Sequence, residues 1–572
     1  MKGYKLRLLP LLLILILTVT GCAPASSGIT TPEDEFSLWL SPAQSALASN
    51  SRPINAVKWF FNIDDYNYYL YCPAEANPKE MAFWFYGAEE CVLEGVALKN
   101  GKSVNISSLL TRQEPLELQV GQDYYDLVIM KSGNLGAMYI ETQSGTMDYI
   151  HLHQGNKELG RMHYVDAKGK QIYSGDLTHI RGRGNATWKM DKKAYQIKLP
   201  KDCDLVGQGA GAAKTWLLLA NFTDKTSLHN LLAYDLAADV GIPYTCRSVF
   251  VDLYCNGEYM GLYQLCEKVQ VANNRIEIVD LEKETQAVNP EKLKNYLKFG
   301  QGETYPGSQK GYLIPNNPAD ITGGYLLELE IEDRYANETC GFVTDRGKYV
   351  VVKEPAHASK EQVAYIANYF QEFEDAVFAT DGINPTTGKR FDQYFDLTSL
   401  ANKYILEELA KNFDADKTSQ FYFKPSDQES DVGYCGPAWD YDNSFDIFRP
   451  AAKNNGMYAA NNQKYIYYHL NQHEVFTQMV KKQWNEAYLP LIEMATGQRE
   501  PMEGTQLKPL TYYYELLGPS AAMSFNRWNN IETPVYTSTY IVTGSTFEEH
   551  YDYFRNYLIE RAEYLDGEWG DD

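Results

Sequence analysis

Two acid-bearing stretches, Asn412-Phe413-Asp414 and Trp439-Asp440-Tyr441-Asp442, carry residue types and a spacing that could do chemistry. Between them lie Gln420-Phe421-Tyr422-Phe423-Lys424, an aromatic-rich strand candidate, a polar loop through Pro425 and Asp431, and a second short strand toward Trp439. An antiparallel hairpin of these strands begins just after Asp414 and ends at Asp440, so both carboxylates emerge at one end. One acid that positions a hydroxyl beside one that holds Mg²⁺ is an arrangement used for phosphoryl transfer from a nucleotide. Acids so placed also serve as helix caps and turn residues, and their spacing alone leaves both roles open.

The elements that must position these acids can be read from periodicity. Leu397, Leu400, Ala401, Tyr404, Ile405 and Leu409 share one face of a helix that starts at the N-cap Asp396 and delivers Asp414 beyond its C-terminal end. The helix dipole disfavours a carboxylate there, which argues against simple capping. Upstream, Arg181-Gly182-Arg183-Gly184-Asn185-Ala186-Thr187-Trp188 is a loop rich in glycine and basic groups. It leads into the alternating strand Tyr195-Gln196-Ile197-Lys198-Leu199. Trp216 to Ala220 reads as a buried strand. A helix follows, with Thr226 or Ser227 as N-cap and Gly241 as its stop. Val249–Tyr254 and Tyr259–Leu265 flank Asn256-Gly257, a favoured hairpin turn. Gly323-Gly324-Tyr325-Leu326-Leu327-Glu328 returns to strand, with Glu328 and Glu330 on one face. Tyr149 to His153 looks strand-like, and its His151/His153 pair suits a surface or core position better than a metal site.

Parts for phosphoryl transfer are thus present: cations for phosphates, a carboxylate to pair with a strand lysine, a metal acid and a hydroxyl-positioning acid. No Walker A sequence, conventional kinase catalytic-loop triplet or Asp-Phe-Gly occurs.

The start of the chain speaks to its address. Lys2, Lys5 and Arg7 precede an apolar run from Leu8 to Leu17, too short to span a membrane and better read as a processed signal. Val19-Thr20-Gly21-Cys22 reads as a lipobox, which makes Cys22 the lipidated residue of a surface protein anchored in a bacterial membrane. The expected organisation is a signal over 1–22 and a flexible tether over 23–50, polar from Ala23 to Glu35. A small all-β, sandwich-like domain over 51–135 and an α+β domain over 136–567 follow. Within the latter, 281–320 reads as a polar insertion and 451–567 as mostly helical. A net charge of −23 argues against nucleic acid as a partner. Eight cysteines remain beside Cys22. None has zinc spacing, and Cys72 with Cys91 and Cys246 with Cys266 are the first disulfide pairs to test.

Arg183-Gly184-Asn185-Ala186-Thr187-Trp188, followed by Lys192-Lys193-Ala194-Tyr195-Gln196-Ile197-Lys198-Leu199, resembles the opening signature of the CotH kinase family, the spore-coat protein kinases. Further matches follow in the family's order: Trp216 to Asn221 with Asp224-Lys225-Thr226, Asn256 to Tyr263, Gly323 to Glu328, Lys353-Glu354-Pro355, and the two acid stretches. The resemblance runs from about Ala137 to Asp566. It implies an atypical, pared-down protein-kinase-like fold that uses ATP with Mg²⁺ or Mn²⁺ and phosphorylates Ser or Thr of a protein. By motif, Asp440 would be the metal ligand with Asp442 beside it, and Asp414 the catalytic acid or base. Lys198, or alternatively Lys193, would contact phosphate together with Arg183. Glu328 would be the ion-pair partner of the lysine, with Ser419 in a secondary role. His229 departs from the family, which carries Arg there. Two other classes stay open: a non-catalytic cell-surface scaffold or adhesion module of the same fold, and a glycosidase using paired carboxylates.

Overall fold

The computed structural model describes residues 36–42, 53–87, 90–105, 108–207, 209–302, 304–448, 456–533 and 540–571. The signal segment, the lipobox with Cys22 and the polar stretch Ala23 to Glu35 lie outside the described residues.

The first unit is a β-sandwich. One sheet orders its strands Val57–Lys58, Phe36–Pro42, Met81–Gly87, Lys102–Asn105; the other runs Phe60–Asn62, Asn67–Cys72, Asp123–Lys131, Leu116–Val120, Cys91–Leu93, Val96–Leu98. Phe36–Pro42 corrects the tether expected over 23–50. Phe36, Leu38 and Leu40 alternate into the core, and the strand pairs along its whole length with Met81–Gly87. Cys72 and Cys91 are unbridged, because two strands stand between theirs in the sheet. Three spacings of about 4.8 Å exceed what a disulfide spans. Cys246 and Cys266 are also free thiols, although these two hydrogen-bond to each other.

Between Lys131 and Gly136 the chain passes into a closed seven-stranded barrel. Its order is Gly136–Thr142, Lys157–Val165, Gln171–Arg183, Ala194–Cys203, Ala213–Leu219, Glu258–Glu267, Ser248–Cys255, and the last strand closes in parallel on the first. The hairpin turn at Asn256-Gly257 takes φ of 54° and 88°, as a type I′ turn needs. The strand expected over Tyr149 to His153 is instead a short helix, Asp148–Leu152, packed on the barrel strands Lys157–Val165 and Gln171–Arg183. So short an apolar run carries no decisive period.

A second, seven-stranded sheet follows, ordered Lys298–Phe299, Gln309–Tyr312, Gly341–Val343, Tyr349–Glu354, Tyr325–Glu330, Gln420–Lys424, Tyr434–Cys435. Its first two strands come from the segment read as a polar insertion. That segment is therefore not a surface appendage: Leu281, Leu293, Tyr312 and Ile314 are buried in the main core. Helices Lys360–Phe378 and Leu397–Ala410 pack with this sheet, and the C-terminal part is helical over Ile466–Leu470, Glu474–Thr496, Leu510–Trp528 and Phe547–Trp569, with one π turn at Trp484–Tyr488. Helix and strand are both abundant, as the α+β expectation requires. Among the described residues no helix is long and apolar enough to cross a membrane.

Candidate functional site

The hairpin between the two acid stretches forms, but shorter than expected. Gln420–Lys424 pairs antiparallel with Tyr434–Cys435 alone. The Gly436 N–H gives the last rung to the Phe421 carbonyl at 2.8 Å, and Pro437 has no N–H to continue the ladder. The chain then runs irregularly to Asp442, with Asp440 at φ 69°. Asp414, Asp440 and Asp442 nevertheless line one cavity of about 190 Å³ between the barrel and the second sheet.

Two sets of buried bonds hold the acid loop. On the barrel side stands the helix His229–Asp239, whose N-cap is Leu228 rather than the expected Thr226 or Ser227. The Thr226 hydroxyl accepts the Leu228 N–H at 3.1 Å, and Asp224 braces the turn before the helix. One Asp224 oxygen accepts the His229 N–H at 2.8 Å, the other the Thr226 N–H at 2.9 Å. Asn230 of this helix accepts the Tyr441 N–H at 2.8 Å, and the Tyr234 hydroxyl accepts the Asp440 N–H at 3.4 Å. The Tyr234 ring stacks on Trp439, centroids 5.8 Å apart. On the other side the Tyr441 hydroxyl donates to Glu407 Oε1 at 2.6 Å. Lys403 binds Glu407, Gln420 and the Tyr441 hydroxyl, all fully or nearly fully buried. The helix Leu397–Ala410 is thereby tied to both the strand and the acid loop.

Asp414 follows that helix through Lys411, which adopts a left-handed C-cap. The Asn412 side chain accepts the Asp414 N–H at 3.0 Å. Ser419 Oγ donates to Asp440 Oδ2 at 2.9 Å, and both residues sit in left-handed backbone, φ 55° and 69°. Such conformations are costly away from glycine and gather at functional sites.

Burial pushes Asp414 up to about 7. The neighbouring Asp440 adds to the shift, while Lys417 and Arg334 oppose it. Burial, then Asp440, Asp224 and Asp414, raise Asp442 well above the carboxylate range, against the pull of Arg183. His229, packed between Phe445 and Phe554, is held low by burial and lies 3.5 Å from Asp224.

These residues fit a divalent cation shared with phosphate oxygens. Among the described residues no group of three or more His, Cys, Asp or Glu could hold a metal on its own. Mg²⁺ commonly takes one or two carboxylates and completes its shell with substrate phosphates and water. Asp442 Oδ1 is buried without a hydrogen-bond partner, as an oxygen awaiting a cation would be.

Arg183 lines the cavity and lies 5.6 Å over the Trp439 ring. Gly184 to Thr187 line it too. A Cβ at Gly182 would fall 2.2 Å from the Trp188 ring, so the glycine lets the loop close on its own tryptophan. Lys193 is elsewhere. Its ammonium donates to the Trp188 and Met190 carbonyls, and it lines a larger cleft of about 1000 Å³ between sandwich and barrel. Lys198 is opposite His179 and Thr215, on the face of its strand that carries Ala194 into the cavity, but does not itself line it. Glu328 does line it, and its ion-pair partner is Lys353 at 3.0 Å rather than Lys198. Burial still raises Glu328 to about 7. Lys353 had a signal, the Lys353-Glu354-Pro355 stretch. Arg334, which also lines the cavity, belongs to none of the stretches singled out above; Tyr234 and Asn230 lie in the helix expected to stop at Gly241, but nothing in its period marks them for the site.

Residues 180–565, more than half of the chain, match the family model described as CotH kinase protein. No curated protein matches the chain.

Proposed function

Because the chain belongs to the CotH kinase family, we propose that it transfers the γ-phosphoryl group of ATP to a Ser or Thr hydroxyl of a protein. In this reading the barrel and the second sheet are the two lobes of an atypical protein-kinase-like fold, and the cavity between them takes the phosphates. The observation that carries it is the meeting of Asp414, Asp440 and Asp442 with the Gly184–Thr187 loop in one cavity. A glycosidase would need only two carboxylates about a sugar, and neither the loop nor the third acid has a part in that chemistry.

Asp414 orients the acceptor hydroxyl and takes its proton. Its position between Asp440 and the cations Lys417 and Arg334 supports a carboxyl poised near neutrality. Asp440, steadied by Ser419, and Asp442 would hold Mg²⁺ or Mn²⁺, which when bound neutralises charge on the phosphates. Arg183 and the loop beside it face the phosphates from the barrel. The acceptor is reached from outside the cell: Cys22, lipidated, would tether the protein to the outer face of a bacterial membrane.

The test incubates the protein with labelled ATP, Mg²⁺ or Mn²⁺ and a Ser-rich acceptor. Label should enter the acceptor or the chain itself, and both Asp414→Asn and Asp440→Ala should abolish it. Unchanged labelling in those variants would reject the site. A preparation that neither binds nucleotide nor transfers label would point to a scaffold instead.

A further inference from the structure

We infer that Arg334 is a catalytic residue that grips the phosphoryl group in transit beside Asp414, an assignment that rests on the phosphotransferase reading above. Arg334 stands on the short helix Glu332–Tyr335, directly after the strand Tyr325–Glu330, and its side chain reaches the cavity of the three acids. It is held from behind. Its Nη1 donates to Glu330 Oε1 at 3.3 Å and to Thr418 Oγ1 at 3.0 Å, and Thr418 donates in turn to Glu330. Glu330 and Thr418 are both buried, so the fork has little freedom behind the guanidinium.

Both bonds use one nitrogen. Among the described residues Nη2 and Nε have no partner, and the side chain keeps 36% of its surface open. A guanidinium offers five N–H donors in a planar fork that matches two phosphate oxygens at once. A purely structural ion pair with Glu330 would have no need to leave the rest of the fork open beside a cavity lined by three carboxylates. Nor is Arg334 required to balance Glu328, which Lys353 already pairs.

Its location separates its task from that of Arg183. Arg183 lies over Trp439 on the barrel side. Arg334 lies on the side of Asp414: its Nη1 donates to Thr418, whose own N–H donates to the Asp414 carbonyl at 3.2 Å. The acceptor oxygen attacks the γ-phosphorus while the bond to the bridging β–γ oxygen breaks. ADP leaves with that electron pair, and the hydroxyl proton goes to the Asp414 carboxylate. The phosphoryl oxygens carry their charge through this passage, and a fixed cation with two unpartnered nitrogens on the acceptor side stabilises them.

The experiment compares the full-length protein with Arg334→Ala and Arg334→Lys, using ATP and Mg²⁺. Nucleotide affinity, single-turnover transfer and melting temperature are measured together, with and without millimolar guanidinium ion. Transfer by Arg334→Ala should fall on the order of 10³-fold, nucleotide affinity should stay within about threefold, and guanidinium should restore part of the rate. Arg334→Lys, which keeps the charge and loses the fork, should remain at least about tenfold slow and gain nothing from guanidinium. Asp414→Asn should not be rescued either. Transfer by Arg334→Ala within about threefold of the unaltered protein would overturn the assignment. So would a loss of rate that follows a lowered melting temperature and resists rescue. If the unaltered protein binds ATP and transfers nothing, the phosphotransferase reading itself has failed, and Arg334 with it.

Discussion

Asp414 and Asp440 face one cavity, yet their surroundings differ in what holds each still. Asp414 takes its place from the backbone, through Asn412, while Asp440 depends on the Ser419 hydroxyl. Removing that hydroxyl in Ser419→Ala should lower transfer about tenfold through a loosened Asp440, while stability to urea falls only about 1 kcal/mol, the worth of one hydrogen bond. A larger loss of stability with unchanged transfer would make Ser419 purely structural. At this scale the sequence was informative where acids clustered in short motifs. It misled where a partner lies across strands: Glu328 and Lys353 are neighbours because Tyr325–Glu330 pairs with Tyr349–Glu354, with Glu328 opposite Val351. Nothing local to Lys198 reveals that its strand carries it past the cavity's lining.

The elements around the site work as clamps, and two of them can be loosened separately. Tyr441→Phe deletes the hydroxyl that bonds both members of the Lys403–Glu407 pair. With a charged pair left short of one partner, denaturant unfolding should show a loss of about 1–3 kcal/mol. Transfer should fall as well, because the same residue carries the backbone between Asp440 and Asp442. The second clamp responds to pH. Asp235, on the helix that steadies the acid loop, accepts the Tyr513 hydroxyl at 3.0 Å, and burial raises it from 3.8 to about 7. Its raised value means that the folded state keeps a proton the unfolded chain has lost between those limits. The stabilisation is complete below about pH 4 and is lost as pH rises through about 7. Melting temperature should therefore decline from about pH 5 to about pH 8, and Asp235→Asn should flatten that decline. An equal slope in both proteins would remove Asp235 from the account. The helices were legible from their periods and from Asp396 at an N-cap, which indeed accepts the Ser399 N–H at 2.7 Å. The hairpin's second strand was not. The apolar residues continue to Trp439, but Gly436-Pro437 ends the ladder.

In the whole molecule the sandwich and the barrel share a core. Tyr139, Tyr254 and Tyr259 of the barrel and Met523 of a C-terminal helix are buried with Leu38, Tyr68 and Leu118 of the sandwich. Asp252 binds them further by accepting hydroxyls from Ser132, Tyr259 and Ser520, at 2.5, 2.8 and 2.8 Å. Deletion of residues 1–135 uncovers these rings and takes Ser132 away. Gel filtration should find that deletion aggregated, and calorimetry should find any soluble fraction melting well below the full chain. A monodisperse product of unchanged stability would show that the two units are independent. The sandwich was foreseen from the spacing of its short strands, but its marriage to the barrel was not, since the contacts join residues hundreds of positions apart.

The barrel's closure has a practical consequence for anyone who cuts this gene. The family match begins at residue 180, inside the strand Gln171–Arg183. The ring is sealed by Gly136–Thr142, which lies parallel to Ser248–Cys255. A fragment begun where the match begins would lack two staves and most of a third, and would present raw edges at Ala194–Cys203 and Ser248–Cys255 to any passing chain. The stretch that evolutionary likeness marks out is thus smaller than the smallest piece that can stand as a barrel.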